Sequence, residues 1–264
     1  MPYRIDLWAS LSPIEWSQAG WKIGGDEDCR DELIHDVLLE HLPKQGLIVD
    51  AGCGTAKWPI HLRRLGYRCV GIEISHEACL TGRAADPAVQ LVRADTRRAP
   101  LRTGCADAVL SLGVVEHDEA GPAEGLRELR RILKPDGILI LAVPFNNWFR
   151  RLVVNHLQTR VTRRRRRAGI ELGFAEYRFS AREIRDRLRD AGFEPLAAYP
   201  NDLRPPKVMG LWVDRDNLVS NPFLDRGPKR LFVLPGWRGR LARLVLDTVP
   251  WLVCGEAAFV ARAR

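Results

Sequence analysis

The sequence predicts an α/β fold, a doubly wound and mostly parallel sheet covered by helices on both faces, and three observations carry that prediction. Between Leu47 and Pro144, short runs rich in β-branched residues alternate with stretches whose apolar residues recur at helical spacing. The first of those runs ends in Asp50 and turns through Gly52 and Gly54 straight into a helical stretch. The chain, 264 residues long with 46% hydrophobic and 28% charged residues, also holds enough apolar side chain for one elaborated domain of this kind.

Each element can be justified in order. LIVDA (47–51), RCVGIEI (68–74), VQLVRAD (89–95), DAVLSL (107–112) and GILILAVP (137–144) read as five strands. Helices are predicted between them at Ala56–Leu65, Ser75–Ala85 and Gly121–Leu133, the last with Leu126, Leu129 and Leu133 on one face. Pro135 and Gly137 punctuate the return to strand. The rhythm breaks after Pro144 and resumes at Ser180, where Ser-Ala-Arg-Glu has the form of a capping box opening a helix with Ile184 and Leu188 inward. FEPLAAYP (193–200) and GEAAFVARA (255–263) are predicted as the last strands. Ahead of the first strand, Asp28–Leu42 fits a helix that buries Ile34, Val37, Leu38 and Leu42, preceded by an arm carrying Trp8, Trp16 and Trp21. The expected organisation is an arm and helix over 1–46, a core over 47–144, a basic insertion over 145–179, and the rest of the fold over 180–264 with a second insertion at 201–254.

Composition excludes several classes. No apolar run reaches the roughly 18 residues that span a bilayer, since Arg243, Asp247 and Pro250 interrupt the most apolar stretch, and MPYRIDLW is not a secretory leader. The sequence therefore predicts a cytoplasmic protein. Its six cysteines form no C-x-x-C pair, which argues against both a zinc site and a disulfide framework. Of the net charge of +8, nine arginines set against Glu171 and Glu176 place +7 between Pro144 and Ser180. Basicity is thus a local property.

The chemistry-bearing segment is Val49-Asp50-Ala51-Gly52-Cys53-Gly54-Thr55, in which glycines let the backbone approach a ligand and a helix N-terminus offers free N–H groups. By itself this turn is shared by every dinucleotide-binding fold. Glu73 follows about 20 residues later at the end of the second strand, where an acid can accept both hydroxyls of a ribose. The dinucleotide fingerprint needs a third glycine at position 57, which is Lys57 here. Asp50 beside the turn repels a pyrophosphate by about 1 kcal/mol or more at contact distance and attracts a sulfonium or ammonium group. An adenosine with a cationic tail is the ligand these residues suit.

VDAGCGTAKW, GIEIS, RADTRRAPLRTGCADAVLSLGVVEH and ELRRILKPDGILILAVPF together resemble the successive motifs of class I S-adenosylmethionine-dependent methyltransferases, in order over residues 47–144. The resemblance implies a Rossmann-like sheet of seven strands, insertions after strands five and six, and S-adenosylmethionine as cofactor. It implies that Asp50, Gly52, Cys53 and Gly54 flank the methionine part, Glu73 holds the ribose, Ile74 packs on adenine, and Asp95 with Thr96 meets the adenine edge. Leu112 and Gly113 would offer backbone groups to the amino-acid end. The chain departs from the family's pattern at Ala56, where glycine is commoner, and at the bulky Trp58, two positions that bear on pocket shape.

The alternatives to these roles are plain ones. Asp95 can simply cap the turn that follows it. His117 is a candidate general base, or it shapes the loop after the fourth strand. Little catalytic machinery is required, because alignment alone can supply roughly 7–11 kcal/mol and only a hydroxyl or phenol acceptor needs a base.

Residues 147–167 set Phe149, Leu152, Val153 and Leu157 ahead of Arg163–Arg167, a pattern that suits a lid helix, an anionic membrane or another polyanion such as RNA. The second insertion holds Trp212, Trp237 and Trp251. The favoured acceptor is a small molecule or a lipid- or glycan-linked one. The competing functions are an RNA methyltransferase, a nicotinamide-dependent oxidoreductase and a non-catalytic S-adenosylmethionine-binding protein.

Overall fold

The structure is a computed structural model that describes residues 1–8, 29–202, 204, 207–208, 232–233 and 236–264. Trp16, Trp21 and Trp212 lie outside the described residues, as does Asp28, the expected start of the first helix. In chain order the elements are β1 (Tyr3–Trp8), α1 (Ile34–His41), β2 (Leu47–Ala51), α2 (Lys57–Arg64), β3 (Arg68–Glu73), α3 (His76–Ala85), β4 (Gln90–Arg93) and β5 (Ala106–Leu112). There follow α4 (Ala123–Ile132), β6 (Leu133–Pro144), α5 (Asn155–Arg167), β7 (Leu172–Arg178), α6 (Ala181–Asp190), β8 (Phe193–Asn201), β9 (Lys207–Val208), β10 (Phe232–Val233), α7 (Trp237–Thr248), α8 (Pro250–Val253) and β11 (Glu256–Ala263).

Seven strands form one sheet in the order β4-β3-β2-β5-β6-β11-β8. Strands β2 to β6 run parallel, and β11 is inserted antiparallel between β6 and β8. The chain steps outward from β2 to β4, then returns to place β5 on the other side of β2. That reversal opens a crevice at the carboxyl ends of β2 and β5, where open α/β sheets bind ligands.

Period-two alternation assigns successive side chains to opposite faces, and both faces are buried, which is why the strands read as unbroken apolar runs. Val49, Val109, Leu139, Leu141 and Phe259 face one core with Leu126, Leu129, Ile184 and Leu188. Ile48, Leu110, Ile140 and Val260 face the other with Ile34, Leu38, Trp58 and Leu62. Trp58, expected to bear on the pocket, thus belongs to the helix-side core. The capping box forms as the sequence predicts, Ser180 Oγ accepting from the Glu183 backbone N–H and Glu183 Oε2 accepting from the Ser180 backbone N–H.

Boundaries differ where tertiary contacts intervene. Helix α1 begins only at Ile34, whose N–H is capped at 3.0 Å by Asn201 Oδ1 from the far end of β8. Leu133 closes α4 in extended conformation and is the first residue of β6, so the strand starts four residues earlier than expected. Pro135, Asp136 (φ 61°) and Gly137 lie in an irregularity of that strand, where the pairing with β5 shifts register.

Four strands escaped the sequence reading, the two-residue pair β9 and β10 and the longer pair β1 and β7. β1 and β7 pair antiparallel, joining residues some 170 apart, with Ile5 buried beneath them. The expected basic insertion is therefore a helix-and-strand excursion. Its base is clamped where the Asn146 N–H donates to Phe179 O at 2.8 Å and the Phe179 N–H donates to Pro144 O at 3.0 Å.

Helix α2 starts from Ala56 in the left-handed region, φ 66°, where glycine is the less strained residue. Its methyl is buried against α3 at Gly82, where an added Cβ would lie 3.0 Å from Ala56 Cβ, 3.1 Å from Leu91 Cδ1 and 3.1 Å from Thr55 O. Gly82→Ala is therefore expected to cost about 1–3 kcal/mol by overpacking, read as a lowered urea midpoint. An unchanged midpoint would show that α3 can move away from the turn.

Candidate functional site

The turn after β2 is built by backbone hydrogen bonds to the neighbouring strand. Gly52 and Cys53 both donate to Ile72 O, at 2.8 and 3.0 Å, and the Ala56 N–H donates to Cys53 O at 2.9 Å. Gly52 has φ +85°, and a Cβ there would fall 2.4 Å from Val114 Cγ2, so the position requires glycine for both conformation and space. Cys53 packs over Gly71, where a Cβ would meet its sulfur at 2.5 Å. Burial, with the charges of Asp50 and Glu73, pushes the Cys53 thiol well up, which makes it a packing residue and not a nucleophile.

Glu73 ties the turn together from the end of β3. Its Oε2 accepts from the Gly54 N–H at 2.9 Å and its Oε1 from the Ser75 N–H at 2.8 Å. A carboxylate has about four acceptor positions, so two remain for an incoming pair of hydroxyls.

Asp50 sits at the floor of the same crevice, 2% exposed, with Oδ2 making no hydrogen bond. Burial pushes its carboxyl up to about 7, the charge of Glu73 adds to the rise, and Lys57 opposes it. A buried carboxylate without donors is an expensive arrangement for a chain to keep. Lys57, in place of the third dinucleotide glycine, pairs with Glu32 and lies 5.2 Å over the Trp58 ring.

A strand-ending acid, a glycine turn, a second acid bridging it and the sheet order β4-β3-β2-β5-β6-β11-β8 are now in view, and residues 49–141 match the family model described as "Methyltransferase domain". Over those residues, about a third of its length, the chain is similar to a methyltransferase domain, in keeping with the resemblance carried by its motifs. It is similar to a tRNA (carboxymethyluridine(34)-5-O)-methyltransferase of Arabidopsis thaliana, 33% identical over 110 residues that make up 40% of this chain and 26% of that protein. It is likewise similar to a ubiquinone biosynthesis O-methyltransferase of Caulobacter vibrioides, 34% identical over 106 residues, 38% of this chain and 42% of that one. Less than half the length of these curated relatives is spanned. The fold extends further: a Haloferax volcanii putative methyltransferase, solved in complex with the Trm112 methyltransferase activator, superposes with TM-score 0.58 over 97% of this chain and 99% of that chain at 21% identity.

Within this methyltransferase fold the other predicted residues are placed as follows. Ile74, just past Glu73, is 42% exposed and presents a bare apolar side chain beside the crevice. Asp95 caps the turn Thr96–Arg98, accepting from the Arg97 N–H at 2.9 Å, and both its oxygens are also engaged by the Arg97 guanidinium, with Nη2 to Oδ2 at 2.7 Å. Arg97 holds its carboxyl below the usual range. Thr96 is half-buried at the start of that turn. Leu112 ends β5, and the Gly113 N–H donates to Ala142 O at 3.0 Å, which carries the β5–β6 pairing one residue past the strand.

His117 is tied to the excursion: its Nδ1–H donates to Ala175 O in β7 at 2.7 Å, which fixes the tautomer and leaves Nε2 as the basic nitrogen. Three functional-site neighbours were missed in the sequence. Arg97 was signalled by its i, i+2 spacing from Asp95. Glu116 is 2% exposed with Oε2 unbonded, and burial raises its carboxyl well above normal. Glu256, at the start of β11, is pushed up to about 8 by burial and by the charges of Glu116, Glu32 and Asp202. No local pattern announces either glutamate, because β11 returns to β6 from more than a hundred residues away. Among the described residues no group of three His, Cys, Asp or Glu side chains is placed to hold a metal ion.

Proposed function

We propose that this chain transfers the methyl group of S-adenosylmethionine to a small-molecule or lipid- or glycan-linked acceptor that enters over the carboxyl ends of β5 and β6. The observation that carries the reading is Asp50, a fully buried acid with an unbonded oxygen at the end of a glycine turn. Such an acid suits a ligand that brings a positive charge and hydrogen-bond donors with it. In the proposed assignment Asp50, Gly52, Cys53, Gly54, Leu112 and Gly113 surround the amino-acid end. Glu73 receives the ribose hydroxyls, Ile74 covers one adenine face, and Asp95 and Thr96 meet the adenine edge once Arg97 swings off the carboxylate. The cofactor half is 47–144, and 145–179 with the described part of 201–254 is assigned to the acceptor side.

The cofactor supplies a methyl group on a positively charged sulfur. The protein's work is then to hold and align, exclude water, and take a proton if the acceptor is a hydroxyl. The relatives matched at similar identity are named for tRNA carboxymethyluridine, malonyl-[acyl-carrier protein] and ubiquinone biosynthesis. That similarity therefore does not discriminate among acceptors. The local concentration of arginine and the apolar side chains beside it favour a lipid- or glycan-linked acceptor.

Calorimetric titration with S-adenosylmethionine, S-adenosylhomocysteine and NAD, followed by transfer of labelled methyl into fractionated extract, tests the reading. Binding of the first two with label in the small-molecule or lipid fraction is expected. Label in RNA would move the acceptor to RNA, binding of NAD alone would replace the reading by an oxidoreductase, and binding without transfer to any fraction would leave a non-catalytic protein. For His117, whose Nδ1 is committed to Ala175, substitution by asparagine is expected to lower methyl transfer less than about tenfold. A loss beyond about a hundredfold with cofactor affinity intact would assign general-base work to Nε2.

A further inference from the structure

We propose that the outer faces of α5 and α7 form a docking surface for an anionic lipid bilayer. This inference concerns surfaces away from the cofactor crevice and does not rest on the methyl-transfer reading.

Helix α5 and the wider helical turn Arg150–Val154 that leads into it have three distinct sides. Arg150, Val154 and Gln158 point inward and are buried. Toward β1, Tyr3 donates its hydroxyl to Asn155 O at 2.8 Å and Arg166 pairs with Asp6 at 2.7 Å. The third side faces solvent, and it is divided along its length. Trp148 (58% exposed), Leu152 (67% exposed) and Val153 stand at its start, followed by Arg160, Arg163, Arg164 and Arg167. No aspartate or glutamate occurs between Phe145 and Ile170. None of those four arginines has an ion pair among the described residues.

Helix α7 repeats the pattern independently. Trp237 (68% exposed), Leu241 and Leu244 fall at i, i+4 and i+7 on one outward stripe, with Arg240 exposed beside it and no acid before Asp247. The two helices spring from one packed base. The Phe145 and Trp251 rings meet edge-on at 5.3 Å, Asn147 Nδ2 donates to Cys254 O at 2.8 Å, and Arg150 Nη1 donates to Phe145 O and Gly255 O.

Arginine beside exposed tryptophan and leucine fits a surface that offers phosphate and an apolar phase at once. Leucine and valine gain nothing from phosphates or base edges, which disfavours RNA as the occupant. A second copy of the chain would set the four arginines against their own like charges, which disfavours self-association through this face. No helix among the described residues is long and apolar enough to cross a membrane, so the contact is peripheral.

Flotation of the full chain with phosphatidylcholine vesicles, and with vesicles containing one-fifth phosphatidylglycerol, tests the proposal. Binding to the anionic vesicles alone, weakened by salt, is expected. Arg160→Gln, Arg163→Gln, Arg164→Gln and Arg167→Gln together should lower it by at least about a hundredfold, and the four lysine substitutions should largely retain it. Leu152→Ser with Leu241→Ser should weaken binding while leaving its salt dependence in place. An unchanged urea midpoint in each variant verifies the fold. Absence of vesicle binding at low salt, or equal binding to neutral vesicles, overturns the proposal. A salt-sensitive tRNA gel shift that the glutamine variant loses, without vesicle binding, assigns the surface to nucleic acid instead.

Discussion

Replacing Asp50 by asparagine is expected to make the ligand-free chain more stable at pH 8 and to abolish most of its affinity for S-adenosylmethionine. Burial raises the Asp50 carboxyl from 3.8 to about 7, so the folded state holds a proton that the unfolded state releases. Below about pH 4 both states are protonated and the acid costs nothing. Between about pH 4 and pH 7 the unfolded chain ionises this acid while the folded chain keeps it protonated, so about 4 kcal/mol is lost at about 1.4 kcal/mol per unit, and the loss levels off once the folded chain ionises as well. Glu256, raised to about 8, acts in the same direction, so ligand-free stability should climb as pH falls from 8 toward 5. An amide at position 50 removes the ionisation, and about 2–4 kcal/mol of stabilisation at pH 8 should appear in urea unfolding after allowing for a buried amide. The same change removes the partner of a cationic ligand. An opposite charge at about 4 Å is worth about 4 kcal/mol near a protein surface, which sets a loss of at least about a hundredfold in affinity. Wild-type affinity in Asp50→Asn, measured by calorimetry, would place the cation elsewhere.

Glu73→Ala is expected to produce the second large effect, because this carboxylate has structural and ligand-binding work at once. Loss of its bonds to Gly54 and Ser75 leaves two backbone donors of the turn unpaired, and loss of the proposed ribose contacts removes two more. Hydrogen bonds to a charged group contribute about 1.5–3 kcal/mol, so cofactor affinity should fall by at least tenfold and more as the turn loosens. Glu73→Gln keeps one carbonyl acceptor and should bind with intermediate affinity. If alanine leaves affinity unchanged, the ribose is held by another residue.

Much of this was legible in the chain because it is encoded by neighbours. The first strand is found where the β-branched run predicts it, Leu47–Ala51, and the capping box at Ser180 forms with both its bonds. The acid, the glycine turn and the second acid about 20 residues on are a local constellation, and a parallel βαβ unit brings such positions together by right-handed crossover. Asp95 suits both an adenine contact and a turn cap, and the structure shows the cap.

Other features had no local signature. β1 is six residues whose partner lies some 170 positions away, so its strand character depends on a pairing the sequence cannot display. Leu133 continues the helical period of α4 and was assigned to it, but the ladder to Ala106 claims it for β6. The cap on α1 comes from Asn201, and the tether on His117 from Ala175.

The sequence by itself determined the parallel core, the glycine turn after its first parallel strand and the residue types that suit a cationic adenosine, because strand period, turn chemistry and helix start are short-range. Only the tertiary structure decided that Asp50 and Glu116 are buried acids and Glu256 a half-buried one, all three with raised pKa values, that Trp58 serves the core, and that an arginine run exposes one face with leucine and tryptophan at its head. Those are consequences of solvent exclusion, and which atoms lose water depends on segments that meet only when the sheet closes.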